Sequence, residues 1–247
     1  MPVLDVQNIN VNYGKKHVLQ GASCCIQPGE IFGLVGVNGA GKTTLLKSIL
    51  DFIPLTSGQI TNFGTPHVLT LARQDLAFLP EQFTPPSFLT GTQFLQMMAQ
   101  FYRAPPLTPT NRTTITQQLD FDEAVLDQPI RKYSKGMRQK LGLISLFTSK
   151  KPLLLLDEPL SGLDPKARIL VSKYMQSLNM QGTTILMSTH LLNDVESLCH
   201  HMGILHAGQF EIIATPDECK QRYQANTLEQ AYLTCIGATS TQHISPN

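Results

Sequence analysis

From Val3 to Val11 the chain alternates apolar Val3, Val6, Ile9 and Val11 with polar Asp5, Asn8 and Asn10. That period of two suits an antiparallel strand with one wet face. Tyr13-Gly14 predicts a turn, and Val18-Leu19 and Cys24 to Gln27 predict two further short strands. Three runs look different: Ile31 to Val35, Leu153 to Leu156 and Thr183 to Met187 are apolar almost throughout and bounded by polar or turn residues. Such runs suit strands buried on both faces of a parallel sheet. Between them the spacing becomes helical. Phe94, Met97, Met98 and Phe101 fall on one helix face, Pro105, Pro106 and Pro109 interrupt the chain, and Leu141, Ile144 and Ser145 resume the period. Asp164-Pro165 marks another helix start, with Ala167, Leu170, Val171, Tyr174, Met175 and Leu178 as its buried stripe.

These patterns predict one α/β domain over residues 1–236. Residues 1–85 and 150–236 form a mostly parallel core with an antiparallel β part, 86–149 form an inserted α-helical subdomain, and 237–247 are a polar tail. With 247 residues and 42% hydrophobic positions, the core is large enough to need no disulfide or metal staple. The five cysteines are odd in number and none is paired at C-x-x-C spacing, so they are expected to be reduced thiols of a cytosolic protein. A formal net charge of +1 gives no general attraction to nucleic acid or acidic lipid, and no nucleic-acid partner is expected. The opening stretch to Lys16 has no apolar segment behind a basic start, and no run approaches the ~20 apolar residues that span a bilayer. No leader or spanning helix is therefore expected.

The chemistry sits where the apolar runs end. After Ile31 to Val35 comes Gly36-Val37-Asn38-Gly39-Ala40-Gly41-Lys42-Thr43, which fits the phosphate-loop pattern G-x-x-x-x-G-K-[ST]. Its glycines let successive backbone N–H groups point at phosphate oxygens, and the helix that follows adds the positive end of its dipole. Lys42 would reach the β- and γ-phosphates, and the Thr43 hydroxyl would ligate Mg²⁺; Thr44 completes the nucleotide-binding set. After Leu153 to Leu156 come two carboxylates, Asp157 and Glu158. Neighbouring side chains on a strand diverge, so the pair can divide the work. Asp157 would hold Mg²⁺ through its water shell, and Glu158 would polarise an attacking water as general base.

Along nearly its whole length the chain resembles the ATP-binding-cassette (ABC) ATPases. Tyr133-Ser134-Lys135-Gly136-Met137-Arg138-Gln139-Lys140 is similar to that family's signature segment, and it precedes the Asp157 strand as the family requires. Ser161-Gly162-Leu163-Asp164 resembles the D-loop, and Ser188-Thr189-His190 resembles the switch histidine. The resemblance implies a P-loop NTPase core. It also implies that Tyr13 stacks on adenine and that Glu81 or Gln82 serves as the Q-loop residue. Ser134, Lys135, Gly136 and Met137 would face the ATP of an opposing subunit, Asp164 would act in the D-loop, and His190 would sense the γ-phosphate and act in catalysis. ATP and Mg²⁺ are the implied cofactors.

Departures from the family pattern refine this picture. Lys135 replaces the first signature glycine, Met137 replaces the glutamine, and Glu81 occupies the usual Q-loop glutamine position. These variants, with Leu228 to Leu233, are similar to the exporter branch called ABC-2. The resemblance implies ATP-driven export through a separate multi-span permease, with a second ATPase subunit completing a homodimer peripheral to the cytoplasmic face of the inner membrane. An Asn-Lys-x-Asp guanine motif is absent, which argues against a GTPase. His200, His201 and His206 show no metal-ligand spacing and are expected to be ordinary histidines.

Overall fold

In a computed structural model that describes residues 1–237, the N-terminal alternation forms a hairpin. Strand β1 (Leu4–Tyr13) pairs antiparallel with β2 (Lys16–Ile26), and Leu4, Val6, Ile9 and Val11 are all buried. Tyr13 and Lys16 close the turn, in which Gly14 takes φ +59°. The two short strands expected between Val18 and Gln27 are one continuous strand. Register shifts between Val6 and Asn10 absorb the irregularity as bulges, with Asn8 at φ 48° and Gly21 at φ +70°, so the ladder bends instead of breaking.

In chain order there follow β3 (Ile31–Val35), α1 (Lys42–Ile49), β4 (Ser57–Asn62), β5 (Thr65–Pro66) and β6 (Leu76–Leu79). Next come α2 (Gly91–Tyr102), α3 (Pro109–Gln118), α4 (Lys135–Phe147), β7 (Leu153–Asp157), α5 (Pro165–Met180) and β8 (Thr184–Thr189). The described chain closes with α6 (Leu192–Leu198), β9 (His201–His206), β10 (Gln209–Ala214), α7 (Pro216–Arg222) and α8 (Leu228–Cys235). The polar tail expected from Gly237 lies, beyond Gly237 itself, outside the described residues.

Two compact units are present. Of the described residues, the first comprises Met1–Ala72 and Ser188 to Gly237; the second is Arg73–Met187. In the first unit, a four-stranded antiparallel sheet runs in the order β2-β1-β4-β5. There too, β3, buried at all five positions, runs parallel to β9, which pairs antiparallel with β10. Two histidines are used up by this arrangement: His201 Nδ1 meets Glu30 Oε1 at 2.8 Å, and His200 Nδ1 accepts the Ile31 N–H at 3.0 Å. Burial pushes the Cys24 thiol up to about 12 and raises that of Cys199 as well, so both stay protonated and unreactive at neutral pH.

In the second unit β6 runs parallel to β7, and β8 lies on the other side of β7. Its helices begin where polar caps allow. Thr90 and Gln93 form a capping box on α2, Thr108 precedes Pro109 on α3, and the Asp164 carboxylate accepts the Ala167 N–H at 2.9 Å on α5. Ala167, Val171, Met175 and Leu178 are buried as the spacing predicts, while Leu170 and Tyr174 are half-buried. Tyr174 instead stacks on Phe147, ring centroids 5.0 Å apart. On α2 the expected stripe holds at Phe94 but fails at Phe101, which is 72% exposed. The last turn of α2 packs through Tyr102 instead; its hydroxyl meets the Phe78 backbone, and burial pushes it up to about 12.

Among the described residues, no helix is long and apolar enough to cross a membrane. The core of the second unit rests on β7, whose Leu155 is fully buried. Leu155→Ala is expected to destabilise the chain by about 3 kcal/mol, the usual cost of an unfilled leucine cavity. Urea unfolding with an unchanged slope would register it. A loss under about 1 kcal/mol would mean that β7 is not packed on both faces.

Candidate active site

Buried β3 delivers the chain at Gly36 into the loop that ends at Lys42. A Cβ on Gly36 would lie 2.5 Å from the Leu205 carbonyl oxygen, so only glycine lets the loop pass this close to β9. Gly41 is the N-cap of α1 at φ 114°, and a Cβ there would lie 2.8 Å from Leu19. Because glycine has no side chain, α1 starts with no side-chain cap and no acidic residue in its first turn. The start of α1 therefore carries no capping side chain between its dipole and an approaching anion. Lys42 is buried, and its ammonium donates to the Gly36 and Val37 carbonyls at 2.6 and 3.5 Å. Val37, Asn38 and Gly39 are exposed at the loop tip, Ala40 is buried, and Thr43 and Thr44 are half-buried in the first turn of α1. The same unit carries Tyr13, half-exposed at the end of β1, and exposed His190, just past β8.

The second unit holds the remaining candidates. Asp157 ends β7 fully buried, and Glu158 follows it, 7% exposed and at φ 51°. A left-handed backbone is uncommon for glutamate, and it holds here because the chain turns sharply: the Glu158 carbonyl accepts the Ser161 N–H at 3.1 Å. Glu81 and Gln82 are both exposed, beyond the end of β6. Ser134 is the N-cap of α4, its hydroxyl accepting the Met137 N–H at 3.1 Å. Met137 in turn supplies its sulfur to the Ser134 N–H, doing the job of a capping-box glutamate or glutamine. Lys135 does not simply enter solvent. A Cβ on Gly162 would lie 3.2 Å from Lys135 Cε, so the lysine stem runs over the turn before Asp164. Ser134, Gly136, Met137, Gly162, Leu163 and Asp164 share the wall of one cleft of about 330 Å³.

A sequence model of the family described as "ABC transporter" matches residues 19–161, more than half of the chain. The chain belongs to the ABC transporter family. An ABC transporter ATP-binding protein of Nostoc sp. is 36% identical over 204 residues, 81% of this chain and 60% of that protein. The Nod factor export ATP-binding protein I of Rhizobium meliloti is 34% identical over 210 residues, 83% of this chain and 62% of that protein. The chain thus spans less than two thirds of the length of these relatives. A solved structure described as the ATP-binding subunit of an ABC transporter superposes with a TM-score of 0.86 at 28% identity, covering 94% of this chain and 99% of that one.

Two contacts within this ABC cassette were not anticipated from sequence. The Val37 backbone hydrogen-bonds the Tyr232 hydroxyl, which ties α8 to the phosphate loop. Gln139, on α4, donates to the Pro159 carbonyl next to Glu158. Neither has a sequence signal, because each links residues far apart in the chain through one hydrogen bond. The geometry of the loop singles out Lys42 as its buried cation. Lys42→Ala is expected to weaken ATP binding and to lower phosphate release at least a hundredfold, about 2.7 kcal/mol of transition-state stabilisation. Nucleotide-binding and phosphate-release assays check this, and wild-type turnover would remove the loop from the site.

Proposed function

We propose that the chain is the ATP-hydrolysing subunit of an ABC exporter, driving transport through a separate membrane-spanning permease. The observation that carries this reading is the start of α1. An uncapped helix N-terminus, shaped by Gly41 and flanked by buried Lys42, suits a polyphosphate better than any neutral ligand. Outward transport is supported by the signature variants and by similarity to a protein named for export.

In this reading Tyr13 stacks on adenine, and Gly36 to Thr44 cradle the phosphates. Thr43 and Asp157 are the residues that would hold Mg²⁺, and the ion when bound would supply neutralising charge for the phosphates. Glu158 accepts a proton from water as the water oxygen attacks the γ-phosphorus. The bond to the leaving ADP oxygen breaks, and ADP departs with that electron pair. Glu81 or Gln82 would serve as the Q-loop residue toward that ion, and His190 would stabilise the γ-phosphate charge. Two subunits meet head to tail, so that Ser134, Lys135, Gly136 and Met137 of one close on the ATP of the other, with Asp164 at the seam. The N-terminus of α4, thirteen residues long and capped by Ser134, supplies a favourable dipole for that contact. Closure is then held by the γ-phosphate and relaxes when it leaves.

Glu158→Gln is expected to keep ATP affinity, hydrolyse at least a hundredfold more slowly, and accumulate as an ATP-bound dimer on size-exclusion chromatography. Adding Ser134→Arg should return it to monomer, because a bulky cation fills the closing surface. A Glu158→Gln protein with normal turnover would show that another group activates the water. A double variant that still dimerises would remove Ser134 from the closing surface.

Membrane attachment should depend on the partner, since no described helix is long and apolar enough to span and the net charge is only +1. Fractionation should find the chain on membranes when a multi-span permease is co-expressed and in the soluble fraction without it. Tight membrane binding by the lone chain would contradict a peripheral subunit.

A further inference from the structure

We propose that Gln139 is a positioning residue for Glu158, through which the signature helix α4 sets the geometry of the hydrolytic carboxylate. The proposal rests on the reading of Glu158 as the base. Gln139 is 6% exposed, and its Nε2 donates to the Pro159 carbonyl oxygen at 3.0 Å in a buried setting. Pro159 directly follows Glu158 and belongs to a turn outside any helix or strand. Glu158 itself holds a left-handed backbone, φ 51°, which a non-glycine residue keeps only where its surroundings enforce it. The Ser161 N–H fixes the Glu158 carbonyl at 3.1 Å, and Gln139 fixes the next carbonyl along. Without that donor the Pro159 carbonyl would be buried and unpaired, so the turn would gain by rotating it toward another partner. Rotation there would re-aim the Glu158 side chain.

Two further contacts extend the tie along the turn. A Cβ on Gly136 would lie 3.5 Å from the Gly162 carbonyl oxygen, and the Lys135 stem covers Gly162 itself. The first turns of α4 thus meet this turn at Pro159, through the Gln139 hydrogen bond, and pass close to it again at Gly162. In a head-to-tail dimer, the N-terminus of α4 meets the partner's ATP while Glu158 serves the chain's own. Gln139 is then the element by which closure on one nucleotide fixes the base for the other. Lys135 acts in the same coupling through its stem, because its aliphatic carbons are what touch the turn.

The test uses the full chain with Gln139→Leu and Gln139→Met, which keep the buried volume and remove the donor. Glu158→Gln and Gln139→Leu/Glu158→Gln are made alongside. The expected result is a kcat at least tenfold below wild type with the ATP dissociation constant within twofold, and an ATP-bound dimer that accumulates as it does for Glu158→Gln. The double variant should be no slower than Glu158→Gln alone, because a positioning contact has nothing to position once the base is gone. Turnover within twofold of wild type in both Gln139 variants, with Glu158→Gln inactive, overturns this proposal and leaves the base assignment standing. Additive losses in the double variant overturn it too, as does loss of ATP binding in both Gln139 variants together with loss of folded protein, which would assign Gln139 to folding alone. Normal hydrolysis by Glu158→Gln overturns the base assignment and this proposal together.

Discussion

A phosphate chain is best met where a helix begins without a capping side chain, and the core of this cassette is built around one such start. Most helices here begin at Thr, Ser or Asp side chains that satisfy their first amides. At α1 the cap is Gly41, at a φ of 114° and pressed so closely on Leu19 that a side chain has no room. The loop can hold this form because β3 is buried throughout and aligned with β9, whose Leu205 carbonyl approaches Gly36 too closely for a Cβ. Core packing of two neighbouring strands thus sets the anion site directly.

The acidic half of the chemistry follows a related logic in the second unit. β7 is a run of four leucines that buries itself and ends at Asp157, so the first carboxylate is fixed by the strand. The second is fixed by a turn. Glu158 takes a conformation that glutamate rarely adopts, and hydrogen bonds from Ser161 to its own carbonyl and from Gln139 to the next one hold the chain there. Helix α4 and the turn that carries Glu158 are therefore parts of one packed block.

Much of this was legible in advance. The buried strands Ile31 to Val35 and Leu153 to Leu156 announced themselves because a strand covered on both faces must be apolar at every position. The phosphate loop was legible because its glycines and lysine are contiguous, and the Asp164 cap because capping is a contact over three residues. Legibility failed where packing chose between equivalent patterns. Phe101 has the spacing of a buried residue, yet the last turn of α2 packs through Tyr102. The hairpin strand β2 was expected in two pieces, because a bulge reads in sequence like a break.

The sequence by itself marked the short segments proposed for phosphate chemistry, placed each relative to a strand or helix, and determined that the chain is an α/β cassette of the ABC family. Those properties depend on residues close together in the chain, so composition and spacing encode them. Only the tertiary structure decided where the Lys135 side chain goes, that Tyr232 meets the phosphate loop, and that Gln139 holds the turn behind Glu158. Each of these joins residues about 20 or more positions apart through one contact. A single long-range contact leaves no periodicity and no motif, so it exists only once the strands and helices have been packed together.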